Sequence, residues 1–451
     1  MAAIITDTFK RNIIKDILTD VDSQGELYYI GIGRSQPWDS SDTVVAVTNS
    51  ARSEVDFRLN LQSVKQSEDT SFVTARNNWT AGTIYGGFNS NSTGAQNPVN
   101  YIITESNTVY MCLEQGVNVS GNAVQSTVQP TTITAHPQKL ADGYVWKFLY
   151  TMSAIRANKF LSSNYMPVKR QDSADATFSG IEIANKLIQD SAVDGTIANL
   201  SIIAGGSGYT SAPTIAIHGN GDSAQAFAAV AAGSVVKIEM KDSAAGLLYR
   251  PGYNYDYASV VFSGGGGTGA QARANISHGN GFGDDPRIDV KSTALMFNTK
   301  PAGGENEDFI IDQDFRQVGL MRRLKKGVSA VDSDFTSATG SANPTMTLSA
   351  ITGTFTADKT ILGSTSAAKA FIDKFDSDTI YYHQDSATGF LSFVAGEGVT
   401  ETNGSGSGTI GIPHTNGDID RFKGEVLYID NRAAVVRSSS QTEDIKIIIQ
   451  L

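Results

Sequence analysis

Apolar positions along this chain begin with a helical period and turn early to an alternating one that then predominates. Between residues 7 and 21, Phe9, Ile13, Ile14, Ile17, Leu18 and Val21 recur every three or four positions, which puts them on one face of a helix. Asp7 stands where a capping residue would start that helix, and Lys10, Arg11 and Lys15 fall on its outer face. The pattern predicts a short N-terminal helix packed at the entrance to a core. From residue 26 the period drops to two. Residues 26–33 read Glu-Leu-Tyr-Tyr-Ile-Gly-Ile-Gly, a strand that should end in Gly33-Arg34-Ser35-Gln36-Pro37-Trp38 because Pro37 lacks the N–H a ladder needs. Gly31, Gly33 and Pro37 together predict a sharp exit. Residues 99–104, 108–113 and 143–152 predict further strands, and the last alternates bulky side chains as a half-buried strand does.

Residues 171–195 are polar and partly helical, and residues 196–279 then hold an internal repeat. Gly205-Gly-Ser-Gly-Tyr209 and the run Thr214-Ile-Ala-Ile-His-Gly219 answer to Pro251-Gly-Tyr253 and Ser259-Val-Val-Phe-Ser-Gly264. Ala-Gln-Ala follows in both, at 224–226 and 270–272; the offset is 44 at the Gly-Tyr pair, 45 along the strand and 46 at Ala-Gln-Ala. Each unit reads as a Gly-Tyr turn, a strand, a Gly-rich turn and a small-residue strand. After strands at 287–297 and 309–324, residues 331–412 turn to Ser, Thr, Gly and Ala. A weaker duplication lies there, with Gly353-Thr-Phe-Thr-Ala ahead of Ile361 and Leu391-Ser-Phe-Val-Ala ahead of Val399, an offset of 38. Residues 424–451 are two β-rich runs around a polar turn, and predict a C-terminus fastened into a sheet.

Composition supports this picture. A chain of 451 residues with 40% hydrophobic positions can fill several cores, and its 44 glycines against 11 prolines point to many tight turns. A net charge of −11 gives no general attraction for phosphate backbones and argues against nucleic acid as a partner. The one basic cluster, Arg322, Arg323, Lys325 and Lys326, reads as a solvated strand end or a protein contact. Cys112 is the single cysteine, so neither an intrachain disulfide nor a cysteine metal site can form, and a small buried hydrophobe is its expected role. No apolar run approaches the ~20 residues that span a bilayer, and the N-terminal residues do not read as a signal peptide.

Candidate chemistry does not survive inspection. Gly264–Gly267 with Gly269 satisfies a Gly-x-Gly-x-x-Gly spacing through sheer glycine content, without the strand-then-helix context a dinucleotide needs. His136, His218, His278, His383 and His414 are scattered, with no metal-binding register. Acid pairs such as Asp284/Asp285 have no opposed geometry to offer glycoside hydrolysis. The reading is of a non-enzyme with no cofactor and no metal.

Five blocks, in order, carry a resemblance: Gly33-Arg34-Ser35-Gln36-Pro37-Trp38; Asp142-Gly-Tyr-Val-Trp146-Lys-Phe-Leu149; Phe315-Arg316-Gln317; Gly424-Glu425 through Asn431-Arg432; and Gln441-Thr-Glu443 with the run after it. On these residues the chain resembles the baseplate wedge subunit, the gene product eight family, of T-even-like contractile-tailed bacteriophages. The resemblance covers a little over half of the chain and leaves out the repeat at 196–279 and the segment at 331–412. It implies a layered β-sandwich core with a short N-terminal helix, so that the fold class is mainly β with two β-rich inserted modules. The core would comprise 1–175, 284–330 and 418–451, and the modules 176–283 and 331–417. It also implies a structural subunit of the virion that forms a homodimer, joins other baseplate wedge proteins and takes part in the rearrangement that triggers sheath contraction. It would be made and assembled in the host cytoplasm.

Within the matched blocks, Arg34, Trp38, Trp146, Arg316 and Arg432 are the candidate structural or interface residues. Arginine pairs bidentately with carboxylates, and tryptophan anchors cores and interfaces alike; for Trp38, Trp79 and Trp146 the core is the expected place. The alternative reading is a tail-associated receptor- or glycan-binding protein using Tyr249, Tyr253, Tyr255 and Tyr257 of the second repeat unit, which otherwise pack that unit. Loss of host binding on deleting 196–279, with assembly intact, would favour it. A carbohydrate-degrading enzyme is a further rival that lacks a recognisable site.

Overall fold

Strands dominate the molecule, as the two-residue period predicts: the fold is mainly β, built from antiparallel sheets, one closed barrel and a few helices. The computed structural model describes residues 4–22, 25–93, 96–171, 180–246, 248–327 and 332–451. The expected module starts at 176 and 331, and part of the polar stretch 171–195, lie outside the described residues. The chain divides into two compact units, Met1–Ile14 with Ser71–Met296 and Ile449–Leu451, and Lys15–Thr70 with Phe297–Ile448.

The N-terminal helix runs Asp7–Asp22. Its cap is Thr6 rather than Asp7, since the Phe9 N–H donates to Thr6 Oγ1 at 3.3 Å. Ile14 is fully buried, but Phe9 is 56% exposed and Arg11 is buried, so the apolar stripe is rotated from the expected one.

In the first unit, Tyr101–Ile103, Thr108–Glu114, Val145–Thr151 and Gln138–Lys139 form a four-stranded sheet, with Thr108–Glu114 between the first and third. Val145–Thr151 is buried on both faces along nearly its whole length, which corrects the half-buried reading. The helix Gly180–Asp190 covers it: the Asn185 side chain accepts from Thr151 N and donates to Thr151 O, both at 2.9 Å, as a neighbouring strand would. Tyr85, Tyr144 and Trp146 fill the core beside it, with ring centroids 5.5–6.5 Å apart. Cys112 is buried in the same cluster, and burial pushes its thiol well up.

The repeat adds a second sheet to this unit, in the order Thr214–Gly219, Ala258–Ser263, Thr268–Ile276, Ile197–Ser207. The equivalent strands of the two repeat units lie side by side and antiparallel, with Ala216 opposite Val261. Those two residues are 45 apart, the repeat offset itself, so each is opposite its own equivalent and the pair marks a local two-fold axis. The four tyrosines of the second unit split: Tyr255 is buried and Tyr249 donates to Ala198 O at 2.7 Å, whereas Tyr253 and Tyr257 are exposed.

In the second unit five strands form one antiparallel sheet in the order Thr339–Ser341, Leu61–Gln66, Tyr28–Gly33, Asp314–Arg322, Glu425–Val436. Gly31 and Gly319 are opposite one another at its centre. A Cβ on Gly319 would stand 2.3 Å from Phe57 Cζ, and one on Gly31 2.7 Å from Leu61 Cδ1, so these glycines let the helix Ala51–Asn60 sit on the sheet. Gly31 therefore serves packing rather than the strand exit. From that helix, buried Arg58 donates to Arg421 O, Lys423 O and Gly424 O at 2.8–3.0 Å, and Arg421 in return donates to Leu59 O at 2.7 Å. The basic run after residue 321 is an intramolecular ion-pair patch, with Arg322 and Arg323 on Glu425, Arg323 also on Glu26, and Lys325 on Asp334.

Six strands between residues 345 and 415 close into a barrel within the same unit. The weaker duplication organises it. Thr360–Gly363 pairs antiparallel with Gly398–Glu401, with Leu362 opposite Thr400, again one duplication offset apart at 38 residues. Phe355 and Phe393, equivalent in the two copies, are both buried in the barrel core with Ile361 and Val399.

Candidate interaction surface

The sequence block Gly33–Trp38 becomes the turn that leaves the central sheet of the second unit. A Cβ on Gly33 would stand 2.2 Å from Asn60 O, so only glycine lets the chain pass so close; Arg34 N then donates to Asn60 O at 3.0 Å, and Arg34 itself takes a positive φ of 59°. Gln36 Nε2 donates to Asn60 Oδ1 at 2.6 Å. Beneath the turn, fully buried Asp373 of the barrel collects Ser35 Oγ at 3.4 Å, Gln62 Nε2 at 3.0 Å and His383 Nδ1 at 2.8 Å. The turn is thus pinned from both its backbone and its polar side chains.

Four of the five residues singled out in the sequence meet here. Arg34 lays its guanidinium over the Trp38 ring, 4.2 Å from the centroid. Trp38 Nε1 donates to Arg432 O at 3.0 Å. Arg316 Nε donates to Asp42 Oδ1 at 2.8 Å, Arg316 Nη2 to Asp42 Oδ2 at 2.9 Å and to Asp314 at 3.1 Å, and Arg316 Nη1 to Ser35 O. This is the fork geometry that lysine cannot reproduce. Burial lowers the Arg316 pKa, but the hydrogen bonds it donates to Asp42 outweigh that and hold it above the ordinary value. Reciprocally, the bond from Arg316 holds the Asp42 carboxyl below its usual range. Burial pulls Arg34 down, with Asp56 and Asp385 acting against it.

Arg432 enters through its backbone; its side chain is exposed and holds no ion pair among the described residues. Trp146 lies in the other unit, 2% exposed, with no acceptor for its Nε1–H among the described residues. Trp79 is half-buried and donates to Ser126 Oγ at 3.3 Å.

The arrangement covers part of a sheet edge. Glu425–Val436 is the outermost strand of its sheet, twelve residues long. An edge strand offers a row of unpaired backbone groups to any other chain. Residues 38–45 lie along it, with Trp38 on Arg432 O and Asn431 Nδ2 donating to Val45 O at 2.9 Å. Val44 and Val45 in that segment, and Leu427 and Val436 on the strand, are exposed apolar side chains. Such groups at a half-covered edge suit docking of another chain by strand addition or apolar contact. Sequence reasoning chose the arginines and missed Asp42, the acid of Arg316, because nothing local ties an aspartate in a loop to an arginine 274 residues away. No helix among the described residues is long and apolar enough to cross a membrane. A comparison with protein families finds no match, and a comparison with curated proteins finds none either.

Proposed function

We propose that this chain is a structural, non-enzymatic subunit of the baseplate wedge of a contractile phage tail. It works as a homodimer that joins neighbouring wedge proteins and takes part in the rearrangement that triggers sheath contraction. One observation carries the reading. Three of the five sequence blocks that resemble the wedge family, separated by some 280 and 110 residues, fall on adjacent strands or at the exit of one: Gly33–Trp38 leaves Tyr28–Gly33, and the other two lie on Asp314–Arg322 and Glu425–Val436. They also share one set of contacts, from the Arg34 and Trp38 side chains through Arg316 to the backbone carbonyl of Arg432. Blocks that match by chance have no reason to converge. The half-covered edge strand beside that cluster is the surface through which the chain would meet its partners, in the virion at the tail baseplate.

The test is assembly. Recombinant protein is expected to sediment as a dimer and to join purified wedge proteins into a larger particle. A stable monomer that joins none of them overturns the proposal.

A further inference from the structure

Lys147 is the least expected charge in the first unit. It sits in the middle of the strand Val145–Thr151, inside the sequence block that also holds Trp146, and is only 3% exposed. Its Nζ donates to Phe148 O at 3.2 Å and lies against Gly283, where an added Cβ would come within 3.0 Å. An ammonium carries three donors, and burying one without a charged partner is costly. Among the described residues no carboxylate forms an ion pair with it. Asp289, the one whose charge reaches it, is engaged by His278 Nε2 at 3.0 Å and by Gly283 N at 2.9 Å. Burial pulls His278 down, but the neighbouring Asp289 holds it up to about 9. Burial accordingly draws the Lys147 amine down to about 8.

This lysine lines a cavity of about 440 Å³, inside the ~300–1,000 Å³ range of small-molecule sites. His136 and Arg250 line it too, both exposed, and among the described residues no aspartate or glutamate does. In a chain of net charge −11, a cavity whose lysine, arginine, aspartate and glutamate lining comprises Lys147 and Arg250 alone, among the described residues, is a local inversion of the field. Leu113, Tyr253 and Phe282 give it apolar and aromatic wall.

We propose that this cavity binds a small organic carboxylate whose charge pairs with Lys147, with Arg250 near the entrance and the ring or chain of the ligand against Tyr253 and Phe282. The carboxylate can belong to a free small molecule or to a residue of an acidic polysaccharide. The site is independent of the assembly role, since none of its residues belongs to the Arg34–Trp38–Arg316 cluster.

Calorimetric titration of the full chain with matched pairs tests this: D-glucuronate against D-glucose, benzoate against benzamide, and a polyuronate against dextran. The charged member of at least one pair is expected to bind about tenfold or more tighter than its neutral counterpart. Binding of the monomeric acids points to a free ligand, and binding of the polyuronate alone to a polysaccharide. Lys147→Met is expected to abolish the preference, and Arg250→Gln, an exposed change that leaves the fold intact, to weaken it severalfold. Equal binding of charged and neutral members overturns the proposal, as does no binding at millimolar ligand. A preference that survives in Arg250→Gln without weakening, should Lys147→Met fail to fold, overturns it as well.

Discussion

Arg437 should be among the most sensitive positions in the second unit. Its side chain is 2% exposed and that of Glu443 is 6% exposed. Arg437 Nε donates to Glu443 Oε1 at 3.0 Å and Nη2 to Oε2 at 3.2 Å, while Nη1 donates to Ile310 O at 2.9 Å and Nη2 also to Gly303 O. The guanidinium stands 5.1 Å from the Phe309 ring centroid. Arg437→Met would leave a buried carboxylate and two buried carbonyls without their donor. Breaking a buried pair on one side costs about 3–5 kcal/mol. Removing both charges with Arg437→Met and Glu443→Met takes away the stranded carboxylate, while the two carbonyls are left without their donor in either variant. The double variant should therefore be more stable than Arg437→Met alone. A chain of this size need not unfold in one step, so the suitable assay is amide hydrogen exchange read by mass spectrometry over 301–311 and 437–443. At 1.36 kcal/mol per decade, exchange there should rise about 10²- to 10⁴-fold in the single variant and less in the double. A single variant within about tenfold of the parent, or a double variant worse than the single, refutes the reasoning.

Glu114 should make the first unit's stability pH-dependent. Burial pushes its carboxyl from 4.5 up to about 7, despite a hydrogen bond from Met240 N and Lys139 at 4.0 Å. A raised folded value means its contribution is complete below 4.5 and lost as pH rises through about 7, by about 3 kcal/mol in full; Glu114→Gln should flatten that slope in thermal melts, and an unchanged slope counts against it. Gly319→Ala should lower stability in urea by about 1–3 kcal/mol through the clash with Phe57, and Phe57→Leu should recover part of the loss; a Gly319→Ala protein as stable as the parent would show that the sheet yields there. Trp38→Ala should keep the fold, since Trp38 is half-buried, yet weaken joining to wedge partners about tenfold or more in a pull-down titration; unchanged joining would remove Trp38 from the interface.

What the sequence revealed followed physical range. The helix at 7–22 and the strands around 28–33, 108–114 and 145–151 announced themselves through local periodicity. The two duplications were visible as offsets, but the two-fold pairing of Ala216 with Val261 and Leu362 with Thr400 needed the register of strands distant in sequence. The burial of Lys147 was hidden because it depends on Gly283, far along the chain, which local periodicity does not report. At the C-terminal end, Arg432 drew attention by belonging to a recognisable block, whereas Arg437 is the buried arginine. Two of its four side-chain bonds go to backbone carbonyls more than 100 residues away, which nothing in its local sequence identifies. Arg34, Trp38 and Arg316 were identified by residue type; their meeting place came only from the sheet that brings residues 33 and 317 opposite each other.

Electron cryomicroscopy of the intact contractile tail tests the central claim most directly. The account predicts density for this chain in the baseplate, as pairs within each wedge, with the Glu425–Val436 edge and the Trp38 segment against a neighbouring protein. Density for the chain only on fibres or sheath, or a complete baseplate without it, would contradict the account.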